Sequence, residues 1–102
     1  MSKLDRFFLS GFVRAHILHH AAEESIFGQG IAEELRRHGY NLSAGTLYPL
    51  LHDLEQKGYL RSKQHREGRR VRRFYRATSK GKAELVIAKR RVRELFGELF
   101  DE

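Results

Sequence analysis

The stretch SAGTLYPLLHDLEQKGYL, residues 43–60, contains the start, the two faces and the end of one helix. Ser43 stands where an N-cap hydroxyl accepts a bond from a first-turn N–H, and Gly58 stands where a C′ glycine ends a helix. Between them, leucines recur at i, i+3, i+4 and i+7 and predict one buried stripe: Leu47, Leu50, Leu51 and Leu54. Pro49 predicts a bend, because its ring nitrogen cannot donate to the carbonyl one turn back. We expect a helix over 43–57.

The opposite side of this helix carries a different set of side chains: Ala44, Thr46, Tyr48, His52 and Glu55. A short helix with an apolar back and a small, polar and aromatic front is typical of a helix presented to a partner outside the core. In a basic protein that partner is most often nucleic acid.

The composition limits the class of protein. With 102 residues the chain forms one domain with a single core. Its 20 lysines and arginines outnumber 13 acidic residues, and the formal charge of +7 favours a polyanionic partner. The sequence shows no signal peptide and no apolar run of about 18 residues, so we expect a cytoplasmic, nucleoid-associated protein without a membrane partner.

The sequence offers no pattern typical of an enzyme. It has no phosphate-binding loop, no activated nucleophile and no pair of carboxylates framed by a base. Cysteine is absent, which excludes disulfides, a thiol nucleophile and a thiolate metal site. We therefore expect neither catalysis nor a cofactor.

The first predicted helix covers residues 3–23. It contains no proline and has apolar side chains on nearly every face, including a stripe of Phe8, Phe12, Ala15 and Leu18. A helix of this kind is usually buried on several sides, so in a small domain it lies centrally or pairs with another chain. A break over 24–27 follows it.

A second, shorter helix is predicted over 28–38, with Gly39 as its C′ residue. Its inner face is formed by Ile31 and Leu35. A short turn then leads directly into the helix over 43–57. Two helices joined by a tight glycine-containing turn, the second with an outward face, make a helix-turn-helix.

The hydrophobic period changes towards 2 after Gly58, which predicts a β hairpin over 59–77. Its two strands meet at Glu67–Gly68, where glycine can take the positive φ of a hairpin turn. Arginines surround this turn: Arg66, Arg69, Arg70, Arg72 and Arg73. They would repel one another by roughly several tenths of a kcal/mol each unless an anion is near, which favours DNA backbone or minor-groove contact over a solvated charge run. Strand alternation leaves open which of them face the groove.

A last helix is predicted over 79–100, capped by Thr78 or Ser79. Its apolar residues are spaced by three and four, as in the seam of a short coiled coil: Leu85, Ala88, Val92, Leu95 and Leu99. Because a seam this short forms only a weak coiled coil alone, we expect the helix to pair with the same helix of a second chain and with the first helix. The predicted fold class is mainly α with a two-stranded β wing. Residues 1–102 form one winged helix-turn-helix domain with N- and C-terminal dimerisation helices.

With these residues placed, the chain resembles the PadR family of bacterial transcriptional regulators. The matching residues are Phe27-Gly28 opening the second helix, GTLYPLL at 45–51 in the third, and the run 54–60 at its end. Gly68-Arg69 marks the wing, and FYRATSKG at 74–81 resembles the family's junction into the dimerisation helix. The resemblance covers essentially the whole chain and is to the subgroup with a single short C-terminal helix.

The resemblance implies a homodimeric regulator of double-stranded DNA, most often a repressor, which a small-molecule effector releases in some members. In the resembling family the start of the third helix enters the major groove and the wing contacts DNA beside it. The expected DNA-binding residues are therefore Ser43, Thr46, Tyr48, Arg66, Arg69, Arg70, Arg72 and Arg73. The expected dimer interface consists of Phe8, Phe12, Leu85, Val92, Leu95, Phe96 and Leu99. The chain departs from the family in two features: Arg70-Val71 stand where members often carry a wing proline, and there is no tryptophan for an effector at the interface.

Two side-chain groups have competing interpretations. Phe8, Phe12, Phe96 and Phe100 form either a plain dimer core, which we favour, or an effector pocket at the dimer interface. The first helix also carries three histidines, of which His16 and His20 have the i, i+4 spacing that a metal ion can use: His16, His19 and His20. Because no His-Glu-x-x-His arrangement and no cysteine accompany them, packed or interface histidines are the favoured interpretation and no metal site is predicted.

Two other functions remain open. A sequence-nonspecific architectural protein would also use an arginine-rich wing, and base-pair specificity distinguishes it from a regulator. A protein-interaction module would use the dimer groove for a partner helix and would be unaffected by loss of wing arginines.

Overall fold

The computed structural model describes residues 3–101, with side chains from residue 9 onward. The side chain of Phe8, a predicted interface residue, lies outside the described residues. The elements follow in the order α1 (Lys3–Glu23), β1 (Ile26–Phe27), α2 (Gly28–Arg37), α3 (Ala44–Gln56), β2 (Leu60–Glu67), β3 (Arg70–Ala77) and α4 (Ser79–Phe100). The mainly α fold with a helix-turn-helix (α2–α3) and a β wing (β2–β3) is confirmed.

A single hydrophobic core joins all four helices to the sheet. α3 contributes three of the four predicted leucines in fully buried form, Leu47, Leu51 and Leu54, while Leu50 is half-buried at the edge. Burial of each such side chain stabilises the fold by about 1.5–3 kcal/mol. The other core residues are Val13, Ile17, Leu18, Ala21, Ile26, Ile31, Leu35, Leu60, Tyr75 and Leu85.

α1 is central to this core, as its apolar surface predicts. It packs against α2, β3 and α4. Its buried face is formed by Val13, Ile17, Leu18 and Ala21, whereas Phe12, on the stripe read from the sequence, is 47% exposed. The exposed phenylalanine marks a second apolar side of α1 that its own chain does not cover.

Glycines end α2 and α3 in the same way. Gly39 and Gly58 have φ of 91° and 82°, which side chains other than glycine rarely adopt. The N–H of Tyr40 donates to the carbonyl of Leu35, and the N–H of Tyr59 donates to the carbonyl of Leu54, each at 2.9 Å. These bonds close a Schellman turn at each helix end, so both predicted C′ glycines are confirmed.

The start of α3 differs from the prediction. Ser43 is the N-cap residue, but its hydroxyl makes no capping bond and donates instead to Thr46 Oγ1 at 3.2 Å. Its carbonyl accepts from the N–H groups of Thr46 and Leu47. The helix is also continuous across Pro49. The carbonyl that Pro49 leaves without a donor belongs to the exposed Gly45, where water can satisfy it.

The sheet has three strands rather than the predicted two. Its order is β1-β3-β2, and all pairs are antiparallel. Ile26 pairs with Tyr75 and Phe27 pairs with Phe74, so the segment interpreted as a break contains a short strand. Two residues are too few to show an alternating pattern, so no strand is predicted there.

None of the helices in the described part of the chain is both long and apolar enough to cross a membrane.

Candidate nucleic-acid interface

The exposed side of α3 carries the three residues predicted to approach DNA. Ser43 and Tyr48 are exposed, and Thr46 is half-buried. The Ser43 and Thr46 hydroxyls lie 3.2 Å apart at the helix N-terminus. The free N–H groups and the dipole of this helix end attract anions, so hydroxyls and backbone together form a surface suited to phosphate oxygens.

Tyr48 is held against the start of α2. A Cβ built at Gly28 would lie 2.6 Å from Cε1 and 2.7 Å from Cζ of the Tyr48 ring, so a larger residue at position 28 would displace the ring from this place. The ring is nevertheless 48% exposed, because its other side faces outward. The glycine at 28 therefore lets the Tyr48 ring lie against the start of α2.

The register of the wing divides its cations between two faces. The hairpin runs from the pair Leu60–Ala77 to the pair Glu67–Arg70, with Gly68 at φ 61° in the turn. Buried Leu60 and Tyr75 identify the inner face, which continues through Arg73 and Arg66. The outer face carries a longer row of basic residues: Arg61, Lys63, Arg70, Arg72 and Arg76.

The five predicted arginines have different surroundings. Arg66, Arg69, Arg70 and Arg73 are exposed, whereas Arg72 is half-buried. The Arg72 guanidinium carbon lies 4.7 Å from the centroid of the Phe27 ring, and this cation–π contact holds it at the β1 edge of the sheet. Arg69 and Arg70 lie at the turn of the hairpin, beyond or at its last strand pair.

A chain of hydrogen bonds joins the wing to α3. The N–H and the hydroxyl of Ser62 on β2 donate to the Glu55 carboxylate on α3, at 3.1 and 2.6 Å. Arg73 on β3 donates to the Ser62 hydroxyl at 2.9 Å. Glu55, predicted on the outward face of α3, is therefore a half-buried connector. These bonds fix the basic ribbon beside the exposed face of α3.

Tyr75 lies close to this connection on the inner face of the wing. Burial raises the pKa of the Tyr75 phenol above its ordinary value; the Arg73 charge acts in the opposite direction, and Glu55 and Tyr48 reinforce the rise. The phenol therefore remains neutral at physiological pH and contributes no negative charge to the basic surface.

The start of α4 is fastened to the end of α3. Thr78 caps α4 by accepting from the N–H of Gly81 at 3.0 Å, and its hydroxyl donates to the Gly58 carbonyl at 2.6 Å. Lys80 Nζ donates to the Lys57 carbonyl at 2.9 Å. A Cβ at Gly81 would collide with the carbonyl oxygen of Tyr59. The Thr-Ser-Lys-Gly junction thus satisfies the carbonyls left free where α3 ends.

Beyond this junction, the C-terminal part of α4 is not covered by the rest of its own chain. Leu85, a predicted interface residue, is buried in the core of the single chain. From residue 89 onward every described α4 residue is exposed, and the apolar ones recur at helical spacing along one side of the helix: Val92, Leu95, Phe96, Leu99 and Phe100. The Phe96 and Phe100 rings contact each other, with centroids 4.8 Å apart.

Sequence reasoning missed several residues of this surface. Arg61, Lys63 and Arg76 extend the basic row along the outer face of the wing, and a count of basic residues across both strands would have found them. Ser62 and Lys80 carried no such signal, because their roles depend on contacts with α3 that only the fold creates.

Comparison with known proteins gives consistent matches. Residues 17–87 match the family described as Transcriptional regulator PadR-like family. The chain is 49% identical over 94 residues to Transcriptional regulator Rv3488 of Mycobacterium tuberculosis, covering 92% of this chain and 88% of that protein. A PadR-like transcription factor from Bacteroides fragilis has a similar fold, with a TM-score of 0.82, 22% identity and 96% of each chain covered. A PadR family regulator from Eggerthella lenta is 28% identical, with a TM-score of 0.76 over 93% of this chain and 88% of that one.

Proposed function

Because the chain belongs to the transcriptional regulator PadR-like family of DNA-binding winged-helix proteins, we propose that it is a sequence-specific repressor that binds double-stranded DNA as a homodimer. The observation that carries this proposal is the link between α3 and the wing. Glu55, Ser62 and Arg73 join the exposed helix face and the arginine-rich ribbon into one rigid surface.

α3 supplies the contacts to the major groove in this proposal. Ser43 and Thr46 lie at its N-terminus, the end that a recognition helix directs at base edges and phosphates. Tyr48 is held by the Gly28 contact with one side of its ring exposed. A fixed aromatic group loses little conformational freedom on binding, which supports a direct DNA contact.

The wing supplies electrostatic attraction. Across β2, the turn and β3 there are eight basic residues against the single acid Glu67: Arg61, Lys63, Arg66, Arg69, Arg70, Arg72, Arg73 and Arg76. A ribbon of this charge beside a recognition helix lies along the phosphate backbone or in the adjacent minor groove. We assign the turn arginines Arg69 and Arg70 to this contact, together with Arg66 and Arg73 on the inner face. Arg72, stacked on Phe27, contributes mainly long-range charge.

The homodimer rests on the uncovered apolar surface of α4. Val92, Leu95, Phe96 and Leu99 continue the heptad seam that begins at the buried Leu85, and Phe96 and Leu99 are each 62% exposed. A continuous apolar surface of this size calls for a partner, and a heptad seam suits a second copy of the same helix. Phe12 on α1 is likewise exposed, and we assign it to the same interface.

Repression and release by a small molecule are the parts of the proposal that rest on family resemblance alone. An effector would bind among the exposed aromatic rings of Phe12, Phe96 and Phe100 once two chains are paired. The matched family and relative are named as transcriptional regulators rather than as enzymes, and we assign no catalytic step to the chain. A regulator of this kind acts in the cytoplasm, at the nucleoid.

The experiment that tests the proposal is selection of binding sites from a randomised DNA duplex library, with a parallel selection without protein. A dimer should enrich a two-fold symmetric sequence whose half-sites lie about 10 base pairs, or a multiple of one helical turn, apart. A single unrepeated half-site would contradict the homodimer. Recovery of DNA without any enriched sequence would instead support a sequence-nonspecific architectural protein.

A further inference from the structure

A group of imidazole rings lies between α1 and the end of α2. His16 and His20 are one turn apart on α1, and His38 is the C-cap residue of α2. The ring centroids of His16 and His38 are 4.6 Å apart, and His20 lies 6.5 Å from each of them. One nitrogen from each ring lies within 4.8 Å of the other two. Three potential ligand atoms therefore converge from two different elements.

This spacing suits a metal ion. An ion that binds imidazole nitrogens at about 2.0–2.1 Å in tetrahedral geometry needs those nitrogens roughly 3.3 Å apart. Small side-chain rotations close the difference, because His38 is exposed and His16 and His20 are only half-buried. A water molecule can occupy the fourth position from the solvent side, as in zinc sites with three protein ligands.

Packing alone does not require the nitrogens to converge. The edge of the Tyr40 ring lies against His16 with centroids 5.3 Å apart, which shows that the cluster also serves as an aromatic contact. Ring stacking is satisfied wherever the nitrogens point, whereas a metal needs them directed at one place. The convergence meets that requirement of a metal ion.

A second set of potential ligands overlaps the first. His19, His20 and Glu23 also bring their ligand atoms within 4.8 Å of one another. His19 Nε2 and Glu23 Oε1 lie 3.5 Å apart on exposed side chains, and all three residues lie on one helix. The set with His38 is better suited to binding a metal ion, because it joins two helices and two of its members are half-buried.

We propose that His16, His20 and His38 bind one divalent transition-metal ion per chain, of the class that imidazole ligands prefer, such as Zn²⁺, Co²⁺ or Ni²⁺. The site lies outside the DNA-binding surface and does not depend on that assignment. The ion links α1 to the last residue before the turn into α3. It stabilises the folded chain, because the unfolded chain does not hold the three rings together.

The test is titration of Zn²⁺ into the full-length, untagged protein after treatment with a chelator and dialysis, followed by isothermal calorimetry. An untagged chain is essential, since a polyhistidine tag binds the same ions. We expect one ion per chain and a rise in Tm with Zn²⁺. Titration with Co²⁺ should produce visible absorption bands of a nitrogen-ligated ion, which a nonspecific surface contact would not give.

Three variants identify the ligands. His38→Gln should weaken Zn²⁺ binding by at least about tenfold, because even loss of groups that only support a ligand costs that much. His52→Gln, which removes an exposed histidine of α3, should leave binding unchanged, as should His19→Gln. Absence of binding by the native chain, or unchanged binding by a folded His38→Gln, would overturn the proposal. Loss of binding in His19→Gln alone would assign the site to the overlapping set with Glu23 and overturn it equally.

Discussion

The Thr78 hydroxyl, at the start of α4, donates a hydrogen bond of 2.6 Å to the Gly58 carbonyl, at the end of α3. The same oxygen accepts from the Gly81 N–H at 3.0 Å, so one side chain serves both helix ends. Lys80 reinforces the contact through the Lys57 carbonyl. If α4 pairs two chains, this junction sets the angle and distance between the two recognition helices.

Replacing Thr78 with valine should destabilise the protein. The change keeps the shape of the side chain but removes both the cap of α4 and the bond to Gly58. We expect the free energy of unfolding to fall by about 1–2 kcal/mol, measured by urea denaturation. Thr78→Ser, which keeps the hydroxyl, is the matched control and should retain most of the stability. A Thr78→Val variant as stable as the native protein would show that the hydroxyl bonds to Gly58 and Gly81 do not stabilise the fold.

Replacing Gly81 with alanine should also destabilise the protein, for a different reason. The added Cβ would meet the Tyr59 carbonyl oxygen, and overpacking of this kind costs about 1–3 kcal/mol. Gly97→Ala, in the same helix, meets no atom within 4 Å. Because alanine is the better helix former, that control should gain about 0.5–1 kcal/mol. Thermal denaturation of both variants gives the comparison, and a stabilised Gly81→Ala would refute the close approach of α4 to Tyr59.

Removing the two arginines of the wing turn should weaken DNA binding. Arg69→Ala with Arg70→Ala removes two cations from the tip of the ribbon, so binding should weaken for native and scrambled DNA alike. If each contacts a phosphate, the slope of log K against log salt should become shallower by roughly 1.8, which is about 0.9 per contact. Arg90→Ala with Arg91→Ala on exposed α4 changes the net charge equally and should leave the slope unchanged. Identical salt slopes for the two double variants would show that the wing turn does not contact DNA.

A charge in the seam of α4 should separate the proposed dimer. Val92 is 52% exposed in the single chain, so Val92→Asp leaves the fold of each chain intact. Burying an unpaired carboxylate between two chains is costly, and we expect sedimentation equilibrium to show monomers. Ala83→Asp adds the same charge to the opposite, exposed side of α4 and should remain dimeric. A dimeric Val92→Asp would mean that the chains pair elsewhere.

The helix-turn-helix could be predicted because its signals are local. The leucine stripe of α3 and the glycines at 39 and 58 lie within one stretch, and the structure confirms each of them. Glu55 shows the limit of such patterns: its position on α3 predicts an outward side chain, but the wing folds back and places Ser62 over its carboxylate. The hydrophobic pattern of α3 or of β2 alone does not predict this contact.

His38 illustrates the same limit for the histidine cluster. The spacing of His16 and His20 is visible in the sequence, but two rings on one helix are a weak metal signal. His38 is distant in sequence and joins them only because α2 ends beside α1. The two-residue strand β1 escaped prediction for a related reason, since its pairing with β3 and not its own pattern defines it.

The most direct test of the account is the affinity of the native protein for DNA from upstream of its own gene, compared with a scrambled duplex of equal length. Fluorescence anisotropy across a salt series measures the affinity for each of the two duplexes. We expect binding to the native duplex at least about 10³-fold tighter than to the scrambled one, with affinity falling as salt rises. Equal affinity for the two duplexes, or no binding to either, would contradict a sequence-specific regulator.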